Sequence, residues 1–139
     1  MARHVRDVMT GHPTAVEPDT PVHQVATAMR DEGIGAVLVT EDGRLRGLVT
    51  DRDLTVRILA DGGDVSRRTV VEACTGEPVT VGPDDDVDEA LRLMRAQALR
   101  RLPVVDNGKP VGIVALGDLA VARDPESALG RISAADPNA

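Results

Sequence analysis

The 139-residue chain contains no phenylalanine, tyrosine or tryptophan, a single cysteine (Cys74) and a single lysine (Lys109). Without aromatic rings the interior must be built from Val, Leu, Ile, Ala and Met, which favours many small contacts over a few large anchors. The same absence removes the stacking platforms of nucleic-acid binders. The charge balance removes their basic track, since 23 acidic residues stand against 16 basic ones for a net −7. Nucleic acid is therefore not an expected partner, although a local arginine cluster can still take a small phosphate. Cys74 alone excludes an intrachain disulfide, and His4, His12 and His23 share no zinc-ligand spacing with it. No apolar run approaches the roughly 18 residues of a membrane span, and the start MARHVRDVMTG lacks a signal peptide's apolar middle. A cytoplasmic, soluble protein with no membrane partner is expected.

What the chain does contain is written twice. Residues 5–56 align with 70–121 at a constant offset of 65 without a gap, and 17 of the 52 pairs are identical, where chance supplies only a few. The identities include Pro13/Pro78, Val16/Val81, Pro18/Pro83, Asp19/Asp84, Met29/Met94, Gly43/Gly108, Gly47/Gly112 and Asp53/Asp118. Glycines and prolines among them imply shared backbone turns as well as shared hydrophobicity.

Each copy reads as strand, helix, strand, strand, helix. A short apolar segment (VRDVM, VVEAC) leads through TG and a proline to a brief strand at 14–16 or 79–81. The next helix carries one apolar stripe, Val22, Val25, Ala26 and Met29 in the first copy and Val87, Ala90, Leu91 and Met94 in the second. Thr20 is expected to cap the first helix with Pro21 as its first residue. Asp85 is expected to cap the second, with Asp88 three residues on. Hairpins follow, Ala36–Thr40 with Arg46–Thr50 around EDG and Arg101–Val105 with Val111–Ala115 around DNG. Second helices are expected at Asp53–Leu59 and Asp118–Ala122.

The expected organisation is repeat 1 at 5–60, a linker at 61–69, repeat 2 at 70–123 and a C-terminal tail at 124–139. The tail has one weak apolar stretch (Ala128, Leu129, Ile132) and ends in DPNA, expected to fray. A unit of about 55 residues is marginal by itself. The expected fold is therefore α/β (α+β), two β-α-β-β-α repeats packed sheet to sheet about an approximate two-fold axis, with two equivalent clefts.

Both hairpins end in the same phrase, GLVTDRDL at 47–54 and GIVALGDL at 112–119. An apolar strand that stops at Thr50 and runs into Asp53 has the chemistry of an anion and sugar site. Free N–H groups and the dipole at a helix start favour an anion. A threonine hydroxyl donates to a phosphate oxygen, and a carboxylate three residues on accepts from two adjacent hydroxyls, such as a ribose presents. Small apolar side chains can cover a purine face without stacking rings. The same pair also suits a helix cap, where Thr and Asp are both favoured, and on the motif alone the two readings are equally open.

Taken with the hairpins LVTEDGRLRGLVTDRDL and LPVVDNGKPVGIVALGDL, the helix stripes and the leading TG.P elements, the pattern Gly-apolar-apolar-Thr-x-x-Asp resembles the CBS repeat, two of which form a Bateman module. The resemblance spans about 120 residues. It implies a small bacterial stand-alone CBS pair: a regulatory, energy-sensing module that binds AMP, ADP, ATP or S-adenosylmethionine in the cleft between the repeats. It also implies a homodimer and a signal passed in trans to an unknown protein partner. In the first repeat Thr50 matches the phosphate-side hydroxyl, Asp53 the ribose-binding acid, and Arg52 the phosphate side of the same loop. Thr10, Pro13 and Thr14 match the purine-lining segment, and Ile34, Gly35 and Ala36 the start of the strand beside it. In the second repeat Asp118 keeps the ribose position and Thr75, Pro78 and Val79 the purine-lining segment, while Arg100 matches a basic position against phosphate. Ala115 departs from the motif's Thr or Ser, Gly117 stands where the first repeat has Arg52, and Gly35 stands where the second has Arg100. The halves lack complementary parts. One site centred on Asp53 is expected, with Arg100 reaching a phosphate held by Thr50, and the second site weak or empty.

Other features carry less. Asp84–Glu89 lacks the glycine and spacing of a calcium loop and reads as an acidic first turn complementing the helix dipole. Cys74 aligns with Met9 and reads as a small buried hydrophobe, and His12 sits in the purine-lining loop. With no Ser–His–Asp, Cys–His or paired-carboxylate arrangement, no catalytic residue, bound metal or required cofactor is expected, and the protein reads as a non-enzyme. The chain carries no effector domain, so its output is expected to pass to another protein. Two competing readings remain: a stress- or dormancy-associated scaffold acting as a homodimer without nucleotide, favoured by Ala115 and the acidic surface, and a metal-ion sensor.

Overall fold

The computed structural model describes residues 3–74 and 76–135; Thr75 and the DPNA end lie outside them. In chain order the elements are a 3-10 turn Val5–Asp7, β1 (Thr10–Gly11), β2 (Ala15–Val16), α1 (Val22–Glu32), β3 (Ala36–Glu41) and β4 (Arg44–Thr50). A helical run then begins as α2 (Asp51–Asp53) and continues in π geometry over Leu54–Ile58 and 3-10 geometry over Leu59–Asp61. A 3-10 turn Val70–Ala73, α3 (Val87–Gln97), β5 (Arg101–Asp106), β6 (Lys109–Ala115), α4 (Leu116–Arg123) and α5 (Ala128–Ala134) complete it. Among the described residues no helix is long and apolar enough to cross a membrane. The strands form two three-stranded sheets, ordered β2-β3-β4 and β1-β6-β5, the mixed α/β class expected from the repeats.

The chain divides into two compact units, one sheet in each. The Thr50 unit comprises Pro13–Pro78 with Gly108–Pro110; the Ala115 unit takes residues up to His12, Val79–Asn107 and the chain from Val111 onward. In the Thr50 unit β2 lies parallel to β3, with Ala15 opposite Leu38, and β3 lies antiparallel to β4 from Ala36/Thr50 to Glu41/Arg44. The hairpin turns on Asp42 and Gly43, with φ of 54° and 77°. This is the two-residue mirror-image turn whose twist suits a hairpin. Both strands therefore run closer to the turn than the EDG expectation allowed. Val37, Val39 and Val49 share one face of the sheet with Val22, Val25 and Met29 of α1, Leu54, Ile58, Val70 and Ala73. Each such valine contributes about 1.5–3 kcal/mol when fully buried.

Two sequence expectations shift here. Ala26 is exposed, because α1 meets its sheet along the Val22–Val25–Met29 ridge; in α3 the matching ridge is Val87, Ala90 and Met94, with Leu91 half-buried. The caps also move. Pro21 holds the N-cap of α1, because Thr20 is committed elsewhere: its N–H donates to the Glu17 carbonyl at 3.1 Å and its carbonyl accepts from Val70 at 2.8 Å. In α3 the cap is Asp86, which accepts from the Asp88 N–H at 2.8 Å, while Asp85 accepts from the Gly82 N–H at 2.8 Å.

The duplication extends to backbone hydrogen bonds, and there it runs crosswise. The Val5 N–H donates to the Asp85 carbonyl at 2.9 Å, Arg6 to Pro83 at 2.9 Å and Val87 to Arg3 at 2.8 Å. Their equivalents are Val70 to Thr20 at 2.8 Å, Val71 to Pro18 at 3.1 Å and Val22 to Arg68 at 3.0 Å. Val5, fully buried, belongs to the core of Val81, Val87, Ala90, Met94, Leu102, Val104, Val114 and Leu119, and β1 pairs with β6. Val70 and Ala73 belong to the other core. Each repeat's leading segment is thus built into the unit that the other repeat mainly forms.

Candidate functional site

Because β2 and β3 are parallel and β4 is antiparallel to them, the starts of β2 and β3 and the end of β4 share one edge of the sheet. Thr14, Gly35 and Thr50 stand along that edge. The Thr14 carbonyl accepts from the Leu38 N–H at 2.9 Å, the Gly35 carbonyl accepts from the Asp51 N–H at 3.0 Å, and Ala36 lies opposite Thr50. Ile34 packs on the core, with its N–H on the Met29 carbonyl at 3.0 Å. Pro13 and Pro78, both half-buried, belong to the same unit. The Thr14 hydroxyl donates to Glu32 Oε1 at 2.5 Å.

At this edge the chain turns straight from strand into helix through a reciprocal cap. The helical run starts at Asp51 rather than Asp53, which puts Thr50 at the N-cap and Asp53 at the third helical position. The Asp53 N–H donates to Thr50 Oγ1 at 3.2 Å, the Thr50 N–H donates to Asp53 Oδ2 at 2.8 Å, and the Thr50 hydroxyl donates to the same Oδ2 at 2.9 Å. This capping box satisfies two helix-end donors at once. The capping reading of the pair is therefore present in the structure. It consumes Oδ2; Oδ1 lies 3.6 Å from Arg57 Nε, and the Asp53 side chain is 25% exposed. Arg52 is exposed, its N–H donating to Asp51 Oδ1 at 2.8 Å, and its guanidinium makes no ion pair among the described residues. Just beyond, the turns widen to π geometry, which is rare and frequent near functional sites.

The Ala115 unit repeats this edge with parts missing. The Leu116 N–H donates to the Arg100 carbonyl at 2.8 Å, as Asp51 does to Gly35, and the Ala115 N–H donates to Asp118 Oδ2 at 2.8 Å. A methyl group offers no acceptor, so only the backbone half of the box survives. Asp118 is half-buried, and that burial pushes its carboxyl above the ordinary aspartate range, opposed by the Ala115 hydrogen bond. Arg100 is exposed. Thr10 is exposed on β1, paired with Ile113, and Val79 packs beside the core. The expected site residues thus divide between the units: Thr10, Val79, Arg100 and Asp118 in this one, the rest except Thr75 in the other.

Sequence reasoning missed why the motif begins with glycine. A Cβ at Gly112 would stand 2.6 Å from Met9 Sδ and 2.8 Å from the Thr10 carbonyl oxygen, and one at Gly47 would stand 3.0 Å from Cys74 Sγ. The leading segments cross the motif strands at these points, and the offset of 65 that relates Met9 to Cys74 was the available signal. Cys74 is half-buried there, and burial pushes its thiol up. The acidic run 84–89 resolves into separate local duties: Asp84 pairs with Arg6, Asp85 and Asp86 accept backbone N–H groups, Asp88 pairs with Arg123, and Glu89 pairs with Arg92. Among the described residues no group of three or more His, Cys, Asp or Glu is placed to hold a metal ion. His12 is exposed in left-handed backbone, with φ of 52°.

The comparisons with known proteins agree with this architecture. The family model described as the CBS domain matches residues 5–60 and again 65–124. The CBS domain-containing protein YhcV of Bacillus subtilis is 41% identical over 117 residues, spanning 84% of this chain and 83% of that one. A crystal structure of Hypoxic Response Protein I with two coordinated zinc ions superposes with a TM-score of 0.76 at 33% identity, covering 84% of this chain and 96% of the other. The crystal structure of CBSX2 in complex with AMP gives 0.77 at 27% identity, covering 87% and 96%. A duplicated strand–helix–hairpin–helix unit, a Thr–Asp box at the end of the hairpin in one copy and two family matches along most of the chain lead to one conclusion: the chain belongs to the CBS-domain family.

Proposed function

We propose that this CBS pair is a regulatory module that takes an adenine nucleotide or adenosyl ligand, among AMP, ADP, ATP and S-adenosylmethionine, at the sheet edge centred on Asp53, and signals its occupancy in trans to a protein partner. The observation that carries this is the Thr50–Asp53 box beside exposed Arg52, which makes no ion pair among the described residues. The cap holds the carboxylate in place through Oδ2, leaving Oδ1, which lies 3.6 Å from Arg57 Nε, to accept from a ribose diol. Arg52 supplies a cation for phosphate, and the Thr14 and Gly35 backbone edges flank the purine side. Arg100 is the second cation proposed to act on phosphate, and Thr10, Pro13, Ile34, Ala36, Pro78, Val79 and Asp118 keep the roles the resemblance assigns them. CBSX2 in its AMP complex supports the ligand class. Signalling would be a population shift: the ligand favours whichever arrangement of the chain binds it better, by as much as its affinities differ. The working form is proposed to be a homodimer, read by analytical ultracentrifugation.

A metal-sensing reading draws on the zinc-bound Hypoxic Response Protein I. It is the weaker one, since no metal-holding group occurs among the described residues.

Isothermal titration calorimetry with AMP, ATP and S-adenosylmethionine tests the proposal. Expected is binding near micromolar, about −8 kcal/mol, at one site per chain, abolished in Asp53→Ala. Arg52→Ala is expected to weaken ATP and AMP while leaving S-adenosylmethionine, which has no phosphate, unchanged. Asp53→Ala removes half a cap, about 1 kcal/mol, so circular dichroism must show it folded. No heat with any of the three ligands on folded protein would refute the nucleotide reading and favour the scaffold.

A further inference from the structure

Two glycines inside helices single out the C-terminal helix. Gly117 is the second residue of α4 and Gly130 the third of α5. Alanine is the better helix former, so each asks for a local reason. For Gly117 the reason is α5 folding back on α4, and for Gly130 it is the tight turn that joins the two helices. A Cβ at Gly117 would stand 2.6 Å from Ser133 Oγ and 3.0 Å from Ser133 Cβ, and one at Gly130 would stand 2.4 Å from the Asp124 carbonyl oxygen and 3.0 Å from Pro125 Cα. The turn between the helices is built to hold this position. The Ser127 hydroxyl donates to the Asp124 carbonyl at 2.7 Å and accepts from the Gly130 N–H at 2.9 Å. Gly117 is the residue just before Asp118 in the second motif, and it stands where the first motif carries exposed Arg52. An arginine at 117 and Ser133 cannot share that space.

We propose that α5 is a cover built into the chain. It lies on the start of α4 and closes the second motif, so that Asp118 is not offered to an outside ligand and the nucleotide of the proposed function, on which this rests, is taken at the first motif alone. The cover is held lightly. Gly130 is the one buried residue of α5, whereas Leu129 and Ile132 are 43% and 73% exposed. It can therefore lift without unfolding the unit, and lifting it exposes α4.

Full-length Gly130→Ala and Gly117→Arg test this by amide hydrogen exchange at Arg131–Ala134. The Arg131 N–H donates to the Ser127 carbonyl at 2.9 Å within a seven-residue helix, too short to persist undocked, so protection there reports the docked cover. Both variants are expected to exchange at these amides about tenfold faster or more. Gly130→Ala is otherwise a helix-favouring change; if it leaves these amides unchanged and raises the melting temperature, the cover is refuted. With AMP as probe, the wild type is expected to bind one per chain, and Gly130→Ala combined with Ala115→Thr two per chain. Two AMP per chain in the wild type with the amides still protected would also overturn the cover. Amides released in the variants with no AMP bound by any of them would uphold the cover and refute the nucleotide reading.

Discussion

Installing the missing hydroxyl, Ala115→Thr, isolates what the cap does. In the Thr50 unit the hydroxyl accepts from the Asp53 N–H at 3.2 Å and donates to Asp53 Oδ2 at 2.9 Å. The Ala115 unit has only the backbone bond, at 2.8 Å in both units. The backbone is already set for the change: Ala115 sits at φ −108°, ψ 158°, against −106° and 166° for Thr50. No rearrangement is needed, so the gain should be that of one capping side chain, about 1 kcal/mol within a range of roughly 0.5–2. At this chain length that raises the melting temperature by about 4 °C. Thr50→Ala should lose a similar amount, and the two changes together should nearly cancel because they share no hydrogen-bond partner. With no tryptophan or tyrosine to fluoresce, the measurement is urea unfolding followed by far-ultraviolet circular dichroism. If Thr50→Ala leaves stability unchanged, the hydroxyl is not acting as a cap and its position must be explained by a ligand alone. If Ala115→Thr destabilises, the equivalence of the two strand ends is wrong.

The crosswise leading segments predict that Val5→Ala and Val70→Ala, each removing two carbons from a fully buried side chain, cost about 2 kcal/mol apiece by the same unfolding assay; a loss below about 0.5 for either would contradict the exchange. Gly112→Ala drives a methyl against Met9 Sδ and the Thr10 backbone and should cost about 1–3 kcal/mol, more than Gly47→Ala, which meets only the Cys74 side chain. Burial holds the Asp118 carboxyl above its ordinary range, so the folded chain binds that proton more tightly than the unfolded one. This group's contribution to stability is then present in acid and lost as pH rises through its raised pKa. Asp118→Asn keeps an acceptor for the Ala115 N–H and removes the titration, so its urea midpoint should gain on the wild type as pH rises through that window; a loss that grows as pH rises would show that the charge is needed.

The duplicated plan, the hairpins, the apolar ridges and the motif were legible because each rests on local periodicity or on a turn that only a few residues permit. Asp42–Gly43 and Asn107–Gly108 name their own geometry. The crosswise pairing was not legible, for a definite reason. An alignment at offset 65 is the same whether Val70 packs on its own repeat or on the other, since both arrangements preserve the same apolar positions. Thr20 lost its capping role to a contact from Val70 fifty residues away in the chain, a tertiary bond that local rules cannot see. In the tail, Leu129 and Ile132 drew attention by hydropathy, yet it is Gly130 that is buried.

The box also changes how the two readings of Thr50 and Asp53 relate. As alternatives they compete for the same atoms, but the structure divides the carboxylate between them. Oδ2 holds the cap while Oδ1 faces Arg57 at 3.6 Å. A carboxylate ordered by its own helix start has already lost its rotamer freedom in the free protein, so a ligand that binds it need not bear that cost, typically 0.5–1.5 kcal/mol for an interface side chain. Asp118, with one bond to Ala115 and no hydroxyl, is held less well and is half-buried as well. On this argument Ala115 weakens the second motif by loosening the carboxylate, since the hydroxyl it lacks would spend its one proton on Asp118 as Thr50 does on Asp53. Ala115→Thr in the uncovered chain should then restore AMP binding there by about that ordering cost.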